Sequence, residues 1–181
     1  GVLQLGPEGM LSLLETHLGL TGLRAHPARR IAQYMLRMQE ADHEDQYYHS
    51  SFIADRWSAA KQFLALRDEL IACGWNGDEH PDFTPRLRAI AELEKSLLPL
   101  DTGREDRQQL VLGRLEEGSR VPIEEIMLHD REEDLPYIWQ RILTQLKQQG
   151  VAVKEAPETE VAASNGNLRL LQLDLNGKKT E

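Results

Sequence analysis

The fold is decided by residues 123–153, which read IEEIMLHDREEDLPYIWQRILTQLKQQGVAV. The short apolar run at 123–128 predicts a buried strand. From Leu135 onward, apolar residues recur at helical spacing until Gly150, which predicts an amphipathic helix with Trp139 on its inner face. The apolar run at 151–153 then predicts a second strand. A strand, a helix and a strand in this order predict a βαβ unit whose two strands are parallel.

The two ends of the chain extend this unit. Residues 2–5 predict a short strand, which leads through a tight turn into an apolar helix that stops at Gly19. Near the other end, a polar loop covers 154–167 and residues 168–175 predict a last strand. Strands and helices at both ends therefore enclose the middle of the chain.

The middle of the chain predicts helices alone. They begin at residues suited to helix starts, namely Pro27, Asp55, the Thr84-Pro85 pair, and Thr102 with Glu105 at capping-box spacing. The apolar residues expected to face inward are Ile31, Met35 and Met38 beside Tyr34, then Ala59, Phe63, Leu66, Leu70 and Cys73, then Leu87, Ile90, Ala91, Leu97 and Leu98, and last Leu110, Val111 and Leu115. The predicted fold class is a helix-rich α/β protein, with a small parallel-type sheet, covering helices and an all-helical insertion.

Four segments follow from this pattern. We predict that 1–26 is the first strand and helix of the α/β core, 27–118 the helical insertion, 119–175 the βαβ part that returns to the core, and 176–181 a polar tail. Because the chain begins with glycine instead of methionine, we interpret it as a fragment of a longer protein.

Composition argues against a nucleic-acid or membrane surface. With 21 Lys and Arg against 30 Asp and Glu, the formal charge is −9, whereas proteins that bind DNA through its phosphates normally carry a basic excess. We therefore expect weak or no direct DNA binding, although arginines gather locally at Arg24, Arg29, Arg30 and Arg37 and again at Arg86 and Arg88. No run approaches the roughly 20 apolar residues of a membrane span.

The sequence contains a single cysteine, Cys73, which is expected to be buried as a small hydrophobe. A lone cysteine suits a reducing, cytoplasmic compartment.

The sequence predicts no catalytic, cofactor-binding or metal-binding residue. Gly6-Pro7-Glu8-Gly9 follows a strand as a phosphate loop does, but it lacks the Lys-Ser/Thr pair, and Glu8 would repel a phosphate. The densest polar cluster falls at a helix end and is interpreted as a solvated loop, with a divalent-metal site as the weaker alternative. Its members are Glu40, Asp42, His43, Glu44, Asp45 and His49, beside Tyr47 and Tyr48. Trp57 and Trp75, at the two ends of the second middle helix, are interpreted as packing residues instead of base-stacking platforms.

Three segments together resemble a known family. They are GPEGMLSLLETHLGL at 6–20, the stretch 48–77 with Ser51-Phe52, Asp55-Arg56-Trp57, Leu66-Arg67-Asp68-Glu69-Leu70 and Gly74-Trp75-Asn76-Gly77, and Leu135-Pro136-Tyr137-Ile138-Trp139-Gln140-Arg141 followed by Gly150-Val151. In this order they look like the N-terminal region of bacterial proteins similar to AddB, the partner subunit of the AddA helicase–nuclease. Such proteins are described as PD-(D/E)XK nuclease-family proteins or inactivated superfamily 1 helicases. The likeness extends from residue 6 to about 173.

The resemblance implies a helicase-like α/β domain that has lost ATP hydrolysis and carries a helical insertion. The family's nuclease centre, an Asp and an Asp/Glu-x-Lys pair holding a metal ion, would lie downstream of this segment. We therefore expect a non-catalytic scaffold domain in a DNA repair or recombination protein, whose parent could be an exonuclease or helicase–nuclease subunit. Its partners would be the remainder of its own polypeptide and a helicase–nuclease partner subunit. The alternative is a free-standing acidic module that binds a protein partner.

Overall fold

The computed structural model describes residues 2–20, 25–156 and 171–174. Their elements are β1 (Val2–Leu5), α1 (Pro7–His17), α2 (Pro27–Ala41), α3 (His49–Ala54), α4 (Arg56–Ala72), α5 (Pro85–Glu94), α6 (Arg104–Glu116), β2 (Glu125–Leu128), a 3-10 turn (Glu132–Asp134), α7 (Tyr137–Gln148), β3 (Ala152–Glu155) and β4 (Leu171–Asp174). The helix-rich α/β fold class predicted from the sequence is confirmed. The predicted polar tail, 176–181, and most of the predicted loop before β4 lie outside the described residues.

The strands form one sheet in the order β1-β4-β2-β3. β2 and β3 are parallel, with Ile126 opposite Val153, so the predicted βαβ unit is confirmed. β4 lies between β1 and β2 and runs antiparallel to both, with Leu173 opposite Leu3 on one side and Ile126 on the other. The sheet is therefore mixed. The order also shows that β1 and β4, the first and last of the described strands, pair with each other, which periodicity alone did not predict.

The chain divides into two compact units. Residues 1–22 and 107–181 form the sheet unit, and residues 23–106 form the helical unit, so that the division falls inside α6. The sequence pattern predicts that the helical insertion ends at 118, at the glycine that follows α6. The sheet unit is thus assembled from two separate stretches of sequence.

The core of the sheet unit comes from three helices and the sheet. α7 contributes the largest share, including Trp139, which is 5% exposed and confirms the prediction of an inward face. Gly150 ends this helix with a φ of 97°, a left-handed conformation that favours glycine. The core residues are Met10, Leu11, Leu14, Val111, Leu112, Leu115, Ile123, Ile126, Leu128, Ile138, Trp139, Ile142, Leu143, Leu146 and Val151.

The core of the helical unit is more aromatic. α2 and α4 pack together and supply most of it, and Asp55 begins α4 by accepting a hydrogen bond from the Ser58 backbone N–H at 3.0 Å, as the sequence predicted. Thr84 caps α5 in the same way through Leu87 N–H. The core residues are Tyr34, Met38, Tyr48, Phe52, Ala59, Ala60, Phe63, Leu64, Ala89, Ile90 and Leu93.

Several sequence predictions in the middle of the chain were wrong. Cys73 is exposed, because the buried stripe of α4 ends at Ile71 and Cys73 lies beyond the helix. Leu97 is 99% exposed, because α5 ends at Glu94 and leaves Leu97 in a loop. Leu110 is 49% exposed, because α6 turns Val111 and Leu112 inward instead.

Two further expectations also need correction. α6 begins at Arg104, one residue later than a Thr102 cap requires, and Gly103 N–H donates to the Asp106 carboxylate at 2.7 Å. Trp57 is 43% exposed and is therefore not a core residue. Trp75, in contrast, is partly buried and packs against the core of the helical unit. Its indole N–H donates to the Asp78 carbonyl at 2.6 Å.

Candidate functional site: a buried arginine network

Three arginines lie inside the helical unit. Arg30 and Arg37 belong to α2, two helical turns apart, and Arg67 lies on the buried stripe of α4. Their side chains are only 9–11% exposed. A buried guanidinium is costly unless its donors are paired, so each of these side chains must find acceptors inside the unit. We call them, with Asp68, Glu94 and Asp106, the arginine network.

All three side-chain nitrogens of Arg30 donate hydrogen bonds. Its two terminal nitrogens donate to the two Asp68 oxygens at 2.7 and 2.9 Å, a bidentate geometry in which both bonds are charge-assisted. The nitrogen Nη2 also donates to Asp106 at 3.1 Å, and Nε donates to the Asp101 carbonyl at 2.9 Å. Arg30 therefore joins α2 to α4 and to the segment that leads into α6.

Arg67 binds the same two aspartates: it shares one Asp68 oxygen with Arg30 and takes the other oxygen of Asp106. Its Nη1 donates to Asp106 and, at 3.0 Å, to Asp68, while Nε and Nη2 donate to Glu94 at 3.3 and 3.1 Å. Asp68 and Asp106 thus each bridge two guanidiniums. Burial favours the neutral form of an arginine, yet Asp106 and Glu94 outweigh it and raise the pKa of Arg67 above its ordinary value.

Tyr34 lies on α2 between the two arginines and is fully buried. Its hydroxyl has no hydrogen-bond partner among the described residues, and neither has the Glu94 oxygen Oε1, which lies 3.6 Å from Arg37 Nη1. Burial, followed by the nearby Glu94 charge, raises the pKa of Tyr34 far above its usual range. The phenol therefore stays neutral at physiological pH.

The bonding within the arginine network suits it to hold helices together. Most of its carboxylate oxygens accept hydrogen bonds from guanidinium N–H groups, and the three positive charges around them would repel a metal cation. Arg30 and Arg67 are always charged and cannot serve as acids or bases. The arrangement fixes α2, α4 and the start of α6 relative to one another.

The polar cluster at 40–49 is held by pairwise bonds. His49 Nδ1 lies 3.1 Å from an Asp42 oxygen, Gln46 donates to Glu92 at 2.8 Å, and the Glu40 carboxylate accepts from Ser96 at 2.7 Å. In the part of the chain that the structure describes, no group of three or more His, Cys, Asp or Glu side chains is placed to hold a metal. Tyr48, expected in a solvated loop, is instead buried, and its hydroxyl donates to the Met38 carbonyl at 3.0 Å.

The arginines that gather in the sequence do not form one surface. Arg29 pairs with Asp101 at 2.9 Å, Arg30 and Arg37 point into the network, and Arg24 lies outside the described residues.

The sequence analysis did not predict the arginine network. The available signal was the position of Arg30 and Arg37 on the same helix face as Tyr34 and Met38, where a solvated charge is not expected.

The sheet unit carries a shallow cavity of about 510 Å³ where β2 and β3 end, lined by Arg131, Glu132, Glu133, Gln140 and Glu155. Ligands of open α/β sheets commonly bind at this edge. The lining here is acidic, and Glu155 already accepts a hydrogen bond from the Glu132 backbone N–H at 2.9 Å. An anionic ligand such as a nucleotide would be repelled.

Comparisons with known proteins found no match to this chain, whether among family models, curated proteins or solved structures. None of the helices within 2–20 and 25–156 has the length and apolar character needed to cross a membrane.

Proposed function

We propose that this chain is a non-catalytic scaffold domain of a DNA repair or recombination protein similar to AddB. The observation that carries the proposal is the division of the chain. A sheet unit made from 1–22 and 107–181 is interrupted by the helical unit at 23–106. The family resemblance, read from separate motifs, implies the same plan of an α/β domain with a helical insertion.

The chemistry of the helical unit supports a scaffold role. Three arginines that could have met phosphates are instead paired internally with Asp68, Glu94 and Asp106. Such pairs contribute little net stability compared with apolar packing, but they fix one arrangement of the helices because any other arrangement leaves a charge unpaired. A domain that only positions other parts of a large protein requires this kind of fixed geometry.

The reading frame that encodes the chain tests the proposal directly. Continuation past Glu181 for several hundred residues, into a segment with an Asp and an Asp/Glu-x-Lys pair, is the expected result. A stop codon at that point would favour the free-standing interaction module instead.

A biochemical test addresses catalysis. The purified chain is expected to show no ATP hydrolysis and no DNA cleavage with magnesium or manganese, in a preparation whose helical circular dichroism shows that it is folded. Cleavage that co-purifies with the chain and disappears in Asp42→Asn or His43→Ala would overturn the proposal.

A further inference from the structure

The first turn of α6 crosses the division between the two units. The helix begins at Arg104, and its residues up to Asp106 belong to the helical unit, whereas those from Arg107 onward belong to the sheet unit. The helix is continuous across this point. The other crossing of the chain, between 22 and 23, lies outside the described residues, so α6 is the described connection.

Asp106 joins the start of α6 to the helical unit. Its oxygen Oδ2 accepts hydrogen bonds from the Gly103 backbone N–H at 2.7 Å and from Arg30 at 3.1 Å, and Oδ1 accepts one from Arg67. The bond from Gly103 is one half of a capping box, in which a first-turn side chain accepts from the backbone N–H just before the helix. The carboxylate also lies at the positive end of the helix. The first turn of α6 is therefore held by contacts that exist only while the helical unit is folded.

Arg107, the next residue, joins the same helix to the sheet unit. Its Nε and Nη2 donate to the two Glu15 oxygens of α1 at 2.7 and 2.6 Å, a bidentate pair, and its Nη1 donates to Glu8 at 3.3 Å. The side chains of Arg107 and Glu15 are only 13% and 12% exposed. A pair so removed from solvent is costly to break from one side. The sheet unit therefore depends on the position of residue 107.

We propose that α6 couples the folding of the two units, so that they unfold together instead of independently. Unfolding of the helical unit removes Arg30 and Arg67 from Asp106. The first turn of α6 then frays, since the first four N–H groups of a helix have no partner within it. The fraying reaches Arg107, whose guanidinium holds α1. Loss of order in the helical unit thereby weakens the sheet unit, and the converse follows by the same contacts.

Without such a link, two separate transitions would be expected, because each unit has an apolar core of its own. A shared transition also affects binding. A molecule that binds the folded form of one unit stabilises it, and the coupling passes that stabilisation to the other unit. The proposal does not depend on the proposed scaffold function.

Urea unfolding of the whole chain tests the coupling, because Trp139 lies in the sheet unit while Trp57 and Trp75 lie in the helical unit. In a Trp57→Phe/Trp75→Phe background, tryptophan fluorescence reports the sheet unit alone. Arg30→Ala, a change within the helical unit, is expected to lower the urea midpoint at Trp139 by about 1 M or more. An unchanged midpoint would overturn the proposal.

The reciprocal experiment uses Trp139→Phe, in which the two remaining tryptophans report the helical unit. Arg107→Gln removes the ion pairs with α1 and is expected to lower the urea midpoint of the helical unit. Arg114→Gln is the matched control, since it makes the same change at an exposed ion pair near the other end of α6. It should leave the midpoint within about 0.2 M. Equal shifts in the two variants would contradict the coupling.

An insertion tests whether α6 is the route of the coupling. Two glycines placed between Asp106 and Arg107 interrupt the helix, because glycine is a poor helix former, while both apolar cores keep all their residues. In this chain, Arg30→Ala is expected to move the Trp139 midpoint by no more than about 0.2 M.

The control carries the same two glycines in an exposed loop of the helical unit, between Asp78 and Glu79. There the shift at Trp139 caused by Arg30→Ala is expected to persist. Three results would exclude α6 as the route. They are a shift that persists with the insertion in α6, a shift that is lost in the control, and a chain with the α6 insertion that shows no Trp139 transition, since each unit should remain folded around its own core.

Discussion

Arg30 and Asp68 form a bidentate ion pair across 38 residues of sequence, and both side chains are more than four-fifths buried. The neighbouring Arg29 pairs with Asp101 while its side chain remains 69% exposed. Two consecutive arginines therefore lie in opposite environments. This contrast allows the energetic role of burial to be measured with the same substitution at adjacent positions.

The first prediction is that Arg30→Ala destabilises the helical unit strongly. Removing Arg30 leaves the buried Asp68 and Asp106 with Arg67 as their one remaining guanidinium among the described residues, and breaking a buried pair in this way costs about 3–5 kcal/mol. Arg29→Ala breaks an exposed pair and is expected to cost at most about 1 kcal/mol. Urea unfolding followed by circular dichroism measures both. Equal losses in the two variants would show that the network does not hold the unit together.

The second prediction concerns Gly103. A methyl group added there would lie 2.4 Å from Arg30 Nη1 and 2.5 Å from its Cζ, so the paired guanidinium would have to move. Gly103→Ala is expected to cost about 1–3 kcal/mol through this overpacking. Gly113→Ala is the control, because it lies within α6 and its added methyl group meets nothing within 4 Å. Alanine there should stabilise the chain by roughly 0.5–1 kcal/mol, and unfolding midpoints that move in the same direction would contradict the prediction.

The third prediction is an alkaline limit to stability set by Tyr34. Because its pKa is raised in the folded state from an ordinary value of 10.0, the unfolded chain ionises first. The stability contribution of the neutral phenol is complete below pH 10 and is lost as the pH rises further. Tyr34→Phe removes the ionising group, and with it a buried hydroxyl that lacks a partner, so it is expected to unfold at higher pH than the parent.

The control for this prediction is Tyr137→Phe, at a residue that is 52% exposed. It should leave the pH of alkaline unfolding unchanged. A titration monitored by circular dichroism from neutral to strongly alkaline pH compares the three proteins. If Tyr34→Phe unfolds at the pH of the parent chain, the buried phenol does not govern the transition.

The fourth prediction is that Trp139 and Trp57 differ in their contribution to the free energy of unfolding. Trp139→Ala removes a buried aromatic from the sheet-unit core and is expected to cost about 3–5 kcal/mol. Trp57→Ala, at a half-exposed position, should change the unfolding free energy by about 0.5 kcal/mol at most. Melting of Trp139→Ala at the parent temperature would place Trp139 at a surface and contradict its position in the core.

Local patterns were enough to predict much of the fold. β2, α7 and β3 follow from the apolar spacing between residues 123 and 153 and from Gly150, and the structure has all three. The cap at Asp55 was predicted from residue type alone, since its acceptor and donor lie three residues apart. Interactions between residues that are close in the sequence can therefore be predicted from local patterns.

Pairing between residues that are far apart in the sequence could not be predicted in this way. The partners of Arg30 lie 38 and 76 residues away, so the helical pattern could place Arg30 on the inner face of α2 but could not identify the carboxylates it pairs with. The same limit explains Leu97, whose apolar side chain suggested a longer α5 although the helix stops at Glu94. The position of β4 between β1 and β2 likewise depends on contacts between the two ends of the chain.

The last prediction is that the isolated chain binds DNA no more tightly than about 10⁻⁴ M near physiological salt, the range of non-specific binding. Affinity for a polyanion increases with the number of phosphates that cations neutralise. Of the arginines that gather in the sequence, Arg29, Arg30 and Arg37 are already paired with carboxylates or buried. Anisotropy with labelled single- and double-stranded oligonucleotides measures the affinity. Micromolar binding that weakens in Arg29→Glu would show that a DNA-contacting surface includes this helix, and that the helical unit is more than a scaffold.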